Sequence, residues 1–366
     1  MTRDRNSITE HLDNKSILSY IANVCERIYK IRQITITDIA KKLGLSASTV
    51  SRALRDHPDI NSETIKRVKK LAKDSKYSPN PISHNLKNNH TTNIGVIIPE
   101  IAHDSFAKAM SGIEEIAYYA GYTTLVCQSN ENYEREVLNS NTLLKQRVAG
   151  IIVSTSQETK RSNHFQNLID YGVPLVFFDR VCDDIKANKV VIDDKNSAFK
   201  AVNYLLKRGY KNIAHFAGPN ELGICKRRLD GYLAALKKAG VSINKGLIRF
   251  GRMYEEDGYK SMELLIKENK IPDAILAVND PVAIGAFQRI KEAGLNIPND
   301  IGLIGFSNNR ITSLVDPPIT TINQPFYEMG KKAAEILIGM IGKENQSNKT
   351  STVTLEAELI IRGSTK

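Results

Sequence analysis

The sequence predicts an α/β protein. A small three-helix head of helix-turn-helix type and a hinge helix come first, joined to a two-lobed core of doubly wound parallel sheets. Three observations carry this expectation. Two short helical runs flank a single glycine in DIAKKLGLSASTVSRAL, residues 38–54. Beyond residue 92, short apolar runs alternate with segments of helical spacing. About ten such runs over residues 93–362 fit two sheets better than one.

Bulk composition narrows the class. The chain has 366 residues and a formal charge of +11, which favours an acidic partner such as nucleic acid or a membrane surface. Cys25, Cys127, Cys182 and Cys225 lie far apart, with no CxxC pair and no Cys/His cluster. Neither a metal site nor a disulfide framework is expected, and a reducing compartment fits. No apolar run is long enough to span a bilayer. The opening MTRDRNSITEHLDNK lacks the apolar centre of a signal peptide. The expectation is a cytoplasmic protein without cofactor or membrane partner.

Residues 1–33 form an N-terminal extension to which the sequence assigns no role. ILSYIANVCERIYKI within it has the spacing of an amphipathic helix. Residues 34–79 are helix-rich and basic. Between residues 34 and 90, eleven Lys/Arg face five Asp/Glu, so more than half of the net charge sits in under a sixth of the chain. A solvated helix surface would explain part of this, but such concentration suits a phosphate-facing patch. Residues 80–92, NPISHNLKNNHTT, read as a hinge and linker. The core then follows as strands at NIGVIIP, TTLVCQ, GIIVS, PLVFFD, KVVID, NIAHFAG, LIRFG, DAILAVND, IGLIGFS and TTINQ. Helical segments such as FAKAMSGIEEIAYYAG separate most of them, the grammar of parallel sheets covered on both faces.

Within the head, Thr35 to Asp38 is a capping box that starts a helix. Ile39, Ala40 and Leu43 give that helix an apolar face, and Gly44 stops it. Leu45 plugs the gap, Ser46 caps a second helix running to about Leu54, and a third starts at Ser62 with Thr64, Val68 and Leu71 inward. The exposed start of the second helix carries Ala47, Ser48, Thr49, Ser51 and Arg52. These small or hydrogen-bonding side chains let a helix sit deep in a major groove. A helical hairpin that docks on a protein is the competing reading.

TITDIAKKLGLSASTVSRAL, then Tyr77-Ser78-Pro79-Asn80, then a two-lobed α/β core, resembles the LacI/GalR family of bacterial transcription regulators from about Ile34 to Arg362. The resemblance implies that Ala47, Ser48 and Arg52 read base edges. Arg52 would fork onto a guanine, worth roughly 1–3 kcal/mol of discrimination, unless a salt bridge to Asp56 holds it. Thr49 and Ser51 would contact phosphate, and Thr35, Tyr77 and Asn80 join the DNA-facing set. A hinge helix folding on the operator would bring Ser83 to a dimer contact and drive Leu86 into the minor groove; packing of Leu86 on the core is the alternative. Where family members carry Ala-Arg, this chain has Ser83-His84.

The core resembles periplasmic sugar-binding proteins, which hold ligand between lobes at the carboxyl ends of strands. Phe106, Asp179, Arg228, Asn279, Asp280 and Phe326 fall at family ligand positions. Each also has a plainer reading. Asp280 before Pro281 suits a helix N-cap, Arg228 suits a surface ion pair, and the two Phe suit ordinary core. Two positions depart from the family pattern. Ser307 stands where Asp is common, and Met253, beside Tyr254, stands where an aromatic is common. Both weaken the expectation of an ordinary hexose.

The implied mechanism is a homodimer on a near-palindromic, double-stranded operator, acting as a repressor. A small-molecule effector, a sugar or sugar derivative, would close the lobes and shift the hinge helices. The ending IIRGSTK carries no leucine heptads, so a dimer rather than a tail-linked tetramer is expected. An enzyme is not expected, since GxGxxG, P-loop, GxSxG and HExxH motifs are all missing and the histidines are scattered. The alternative is the same DNA-binding regulator controlled by a protein co-effector.

Overall fold

A computed structural model describes residues 34–77, 91–342 and 350–366. The chain divides into two units, one ending at His90 and one running from Thr91 to Lys366.

Three helices build the first unit: α1 (Ile36–Leu43), α2 (Ala47–Ala53) and α3 (Ser62–Asp74). The capping box forms as the sequence predicts. Thr35 Oγ1 accepts the Asp38 N–H, and the Asp38 carboxylate accepts the Thr35 N–H at 2.9 Å. Gly44 ends α1 at φ +66°, a conformation that costs a residue with a Cβ roughly 1–2 kcal/mol. Ser46 Oγ caps α2 by accepting the Thr49 N–H at 3.1 Å. Ile39, Ala40, Val50, Ala53, Val68 and Ala72 form the buried centre, with Leu45 and Leu71 packed against it. Thr64 and Leu71 are only half-buried, and Ala72 takes the deep place on α3 that the sequence reading gave to them.

The second unit contains twelve strands among the described residues. Five precede the first return of the chain: β1 (Asn93–Ile98), β2 (Thr123–Gln128), β3 (Ile151–Val153), β4 (Leu175–Phe178) and β5 (Asn188–Ile192). Five follow: β6 (Ile213–Ala217), β7 (Ile248–Phe250), β8 (Ala274–Ala277), β9 (Gly302–Phe306) and β10 (Thr320–Asn323). Two more close the chain, β11 (Thr352–Leu355) and β12 (Glu358–Ile360). They form two six-stranded sheets, ordered β11-β5-β4-β3-β1-β2 and β12-β10-β9-β8-β6-β7. Every pairing is parallel except β12 against β10. The inner strands β1, β4, β6, β8 and β9 are buried almost throughout, as sheets covered on both faces require.

Helices α4 (Asp104–Tyr119), α5 (Tyr133–Lys145) and α6 (Asn163–Asp170) serve the first lobe. Helices α7 (Asp194–Lys207), α8 (Gly223–Lys238), α9 (Glu255–Lys267) and α10 (Asp280–Glu292) serve the second. α11 (Phe326–Met340) returns to pack on α4 and β4. The chain therefore crosses between lobes three times: after β5, between β10 and α11, and between β11 and β12. One expectation is corrected at α10. The N-cap is Asn279, whose Oδ1 accepts the Val282 N–H at 3.0 Å, and Asp280 is the first residue inside the helix.

Candidate functional site

In the head, α2 places its residues as a DNA-reading helix needs. At 3.6 residues per turn, Ser48, Ser51 and Arg52 share the side opposite the buried Val50 and Ala53. Ala47, Ser48 and Arg52 are exposed, while Thr49 and Ser51 are half-exposed. The salt bridge that competed for Arg52 does not form. Asp56 is held by Lys69 Nζ at 2.6 and 2.7 Å. The Arg52 guanidinium makes no hydrogen bond or ion pair with any described residue. Thr35 stands at the cap of α1, with its hydroxyl donating to Asp38 Oδ2 at 2.7 Å inside the capping box. Tyr77 is half-buried against the head's core, and burial pushes its phenol pKa up. Asn80, Ser83 and Leu86, with the hinge helix, lie outside the described residues.

In the core, the carboxyl ends of β1, β4, β8, β9 and β10 converge on a small chamber of about 30 Å³, room for about one water. Phe106, Asp179, Arg228, Met253, Asn279, Ser307 and Phe326 all line it. Seven of the eight positions taken from the resemblance are thus brought together. Asp280 is not. It is fully buried, with its carboxylate accepting from Thr321 Oγ1 at 2.7 Å and from the Asn309 N–H at 2.6 Å. Its neighbour Gly305 leaves room for that carboxylate, since a Cβ there would stand 2.1 Å from Asp280 Oδ1. Burial pushes the Asp280 pKa to about 6 against the pull of these hydrogen bonds. Asp280 therefore shapes the loop that carries Ser307 and Asn309, and it does not face the chamber.

The chamber is polar and tightly networked. Arg228 ion-pairs Asp194 at 2.8 Å and donates to the Val278 carbonyl at 2.6 Å. It also donates to Gln324 Oε1 at 3.3 Å and stacks 3.6 Å above the Phe306 ring. Ser307 Oγ donates to the same Gln324 oxygen at 3.0 Å, and Gln324 Nε2 donates to Asp179 Oδ1 at 3.2 Å. Burial pushes the Asp179 pKa upward. Phe106 and Phe326 meet edge to face, with ring centroids 6.3 Å apart. Asp179 at φ +57° and Ser307 at φ +116° hold backbone conformations that a residue with a Cβ rarely adopts. Such strain clusters where a site must be held open for a ligand.

The lining residues that sequence reasoning missed include Arg180 and Gln324. Arg180 is 5 % exposed and lines the chamber. Its Nη1 donates to both oxygens of Glu131 at 2.7 and 2.8 Å, while its Nε has no hydrogen-bond partner among the described residues and stands 4.0 Å from Asp179 Oδ2. Gln324 is the hub of the network. Gln324 directly follows β10 and Arg180 stands two residues past β4, and the rule that ligands bind outside strand carboxyl ends was the signal for them. The lobes also touch across the cleft, through Ser105 to Asn309 at 3.1 Å and Gln157 to Tyr254 at 3.0 Å. Outside these contacts lies a vestibule of about 650 Å³ lined by Glu100, His103, Tyr254, Glu255 and Arg310 among others. Among the described residues, no group of three His, Cys, Asp or Glu side chains is placed to hold a metal ion.

Comparison with known proteins agrees with this division. Residues 35–80 match the bacterial regulatory proteins of the lacI family, and residues 202–365 match a periplasmic binding protein-like domain. The transcriptional repressor CytR of Escherichia coli (strain K12) is 34% identical over 334 residues, covering 91% of this chain and 96% of that protein. Catabolite control protein A of Priestia megaterium is 33% identical, covering 91% and 99%. The repressor PurR of Pasteurella multocida is 32% identical, covering 91% and 98%. Among solved structures, the regulator CelR in complex with cellobiose superposes with a TM-score of 0.69 at 25% identity, covering 91% of this chain and all of that one. A regulator from Enterococcus faecium with bound ribose gives 0.66 at 26%, covering 75% and 98%. The lac repressor dimer on its operator shares the fold, with a TM-score of 0.75 at 24% over 91% and 99%. The chain belongs to the LacI family of bacterial regulatory proteins, and it is a DNA-binding transcription regulator rather than an enzyme.

Proposed function

We propose that this regulator is a repressor that binds a near-palindromic operator as a homodimer, and that a sugar or sugar derivative held between the core lobes sets its affinity for DNA. On this reading it acts on the chromosome, in the cytoplasm. No described helix is long and apolar enough to cross a membrane. The observation that carries the effector assignment is the chamber itself. Two guanidinium groups, a carboxylate, three amides and two hydroxyls converge beside two phenyl rings at the carboxyl ends of both sheets. A ligand hydroxyl that accepts from Arg180 Nε and donates to Asp179 Oδ2 satisfies both groups at once. The ribose-bound and cellobiose-bound relatives favour a polyol of this kind.

The chamber is too small for a sugar while the lobes touch, so entry requires the contacts of Ser105 and Gln157 to open. Ligand binding then trades the Gln324 network for contacts of its own. Coupling of such a change to DNA affinity is typically about 1–3 kcal/mol.

Thermal unfolding of the full chain against a panel of neutral sugars, sugar phosphates and nucleosides tests the effector. The true ligand at 100 times its Kd adds about 2.7 kcal/mol of stability. If every small molecule leaves the melting curve in place while DNA binding persists, the effector is a protein. Affinity for duplex DNA falls steeply with salt, because neutralised phosphates release counterions; a flat response in a salt series would remove the head from DNA altogether.

A further inference from the structure

The head carries two guanidinium groups near the exposed side of α2, and the fold treats them differently. The Arg52 guanidinium is without a partner among the described residues. Arg55, just past the end of α2, folds back over the preceding turn. Its Nη2 donates to Ser51 Oγ at 2.7 Å and its Nε to the Ser51 carbonyl at 3.2 Å. That two-point dock leaves Nη1 without a hydrogen-bond partner among the described residues. Among the described residues no carboxylate pairs with Arg55 either, because Asp56 pairs with Lys69 and Asp59 lies beside His57 Nδ1 at 3.4 Å. The four-residue spacing keeps Ser51 and Arg55 on the side that also carries Ser48 and Arg52, away from the buried Val50 and Ala53.

The geometry points to Arg55, docked on Ser51, as a phosphate-binding residue of the DNA surface. It takes one backbone phosphate and fixes the register from which Arg52 reaches a base. This rests on the DNA-binding assignment of the head. A phosphate is recognised by charge and by the planar fork of a guanidinium. An arginine already held by its own helix loses less freedom on binding than a free one. A base reader needs reach, whereas a phosphate contact needs position. The docked and free arginines match those two tasks. Ser51 also acquires a second duty: its oxygen accepts from Arg55, and its O–H stays available to donate to the same phosphate.

A competing role exists, since a basic side chain in the last turn of a helix also satisfies that turn's carbonyls. The two are separated by a readout that a purely structural contact does not move. Binding of the full chain to random-sequence duplex DNA is followed by fluorescence anisotropy over a salt series. Arg55→Gln lowers the magnitude of the log–log salt slope by about 0.9, so the wild type's advantage shrinks about 3.5-fold between about 50 and about 200 mM salt. The loss is the same on several unrelated duplexes. Arg55→Lys keeps the slope, and Ser51→Ala keeps the slope while weakening affinity by about 2- to 10-fold, because the charge remains but is no longer oriented. A steep wild-type slope that Arg55→Gln leaves unchanged overturns the assignment. So does a loss that depends on one base pair, since Arg55 would then be reading sequence. A flat wild-type slope brings down the DNA-binding assignment first, and this one with it.

Discussion

Replacing Arg228 by Met tests whether the chamber's network also holds the core together. Arg228 is 2 % exposed, and so is the Asp194 side chain that it pairs with at 2.8 Å. Asp194 opens α7 just past the first crossover, and Gln324 lies in the second. Arg228 therefore ties α8 to two of the three segments that join the lobes. Met fills much of the volume but leaves the Asp194 carboxylate buried, with only Arg227 Nε at 3.6 Å beside it. Breaking a buried pair from one side costs about 3–5 kcal/mol. Arg227 compensates in part, which places the expected loss near about 3 kcal/mol, at the low end of that range. For a unit of this size that lowers the melting temperature by about 6–12 °C. The assay is thermal unfolding of the full chain for Arg228→Met, Asp194→Asn and the double variant. The double variant is expected to recover most of the loss, because no charge is left buried alone. Melting of Arg228→Met within about 2 °C of wild type would refute the reasoning, given that about 1 kcal/mol already moves the midpoint this much. So would a double variant whose loss is the sum of the two singles.

Two further outcomes are expected. Arg52→Ala relaxes operator preference at one base pair by about 1–3 kcal/mol while leaving affinity for random duplex largely intact; equal weakening on all sequences would place Arg52 on phosphate, as read in a competition assay with single-base operator variants. Asp280 gives a pH signature. Its folded pKa of about 6 lies above its unfolded value, so the folded state binds the extra proton and this group's contribution is lost as pH rises through about 6. Chemical unfolding should show Asp280→Asn gaining on the wild type by about 2 kcal/mol from about pH 4 to about pH 7, and a difference flat across that window refutes the assignment.

What the sequence alone determined is mostly local. The capping box at Thr35, the left-handed stop at Gly44 and the cap at Ser46 all depend on contacts within three or four residues, so residue order suffices to specify them. The ten strands first read are buried or paired apolar runs, and each appears within three residues of its expected place. β11 and β12 were not legible. TVTL and ELI are short and half-exposed, and they become strands only because β5 and β10 offer edges to pair with. The resemblance located seven chamber residues because each sits at or near a strand end or a helix start, places a family pattern marks.

Direction and partnership were decided by the tertiary structure. A one-residue shift of the cap to Asn279 turned Asp280 away from the chamber and into the loop after β9. Asp56 chose Lys69, thirteen residues away, over its near neighbour Arg52. Arg180 became a chamber residue only when Glu131, 49 residues distant, held its guanidinium in place. The physical reason is common to all three. A cap is set by backbone geometry over one turn, whereas the partner of a long charged side chain depends on which distant carboxylate the packed fold delivers within hydrogen-bond reach, and no short window of sequence contains that distance.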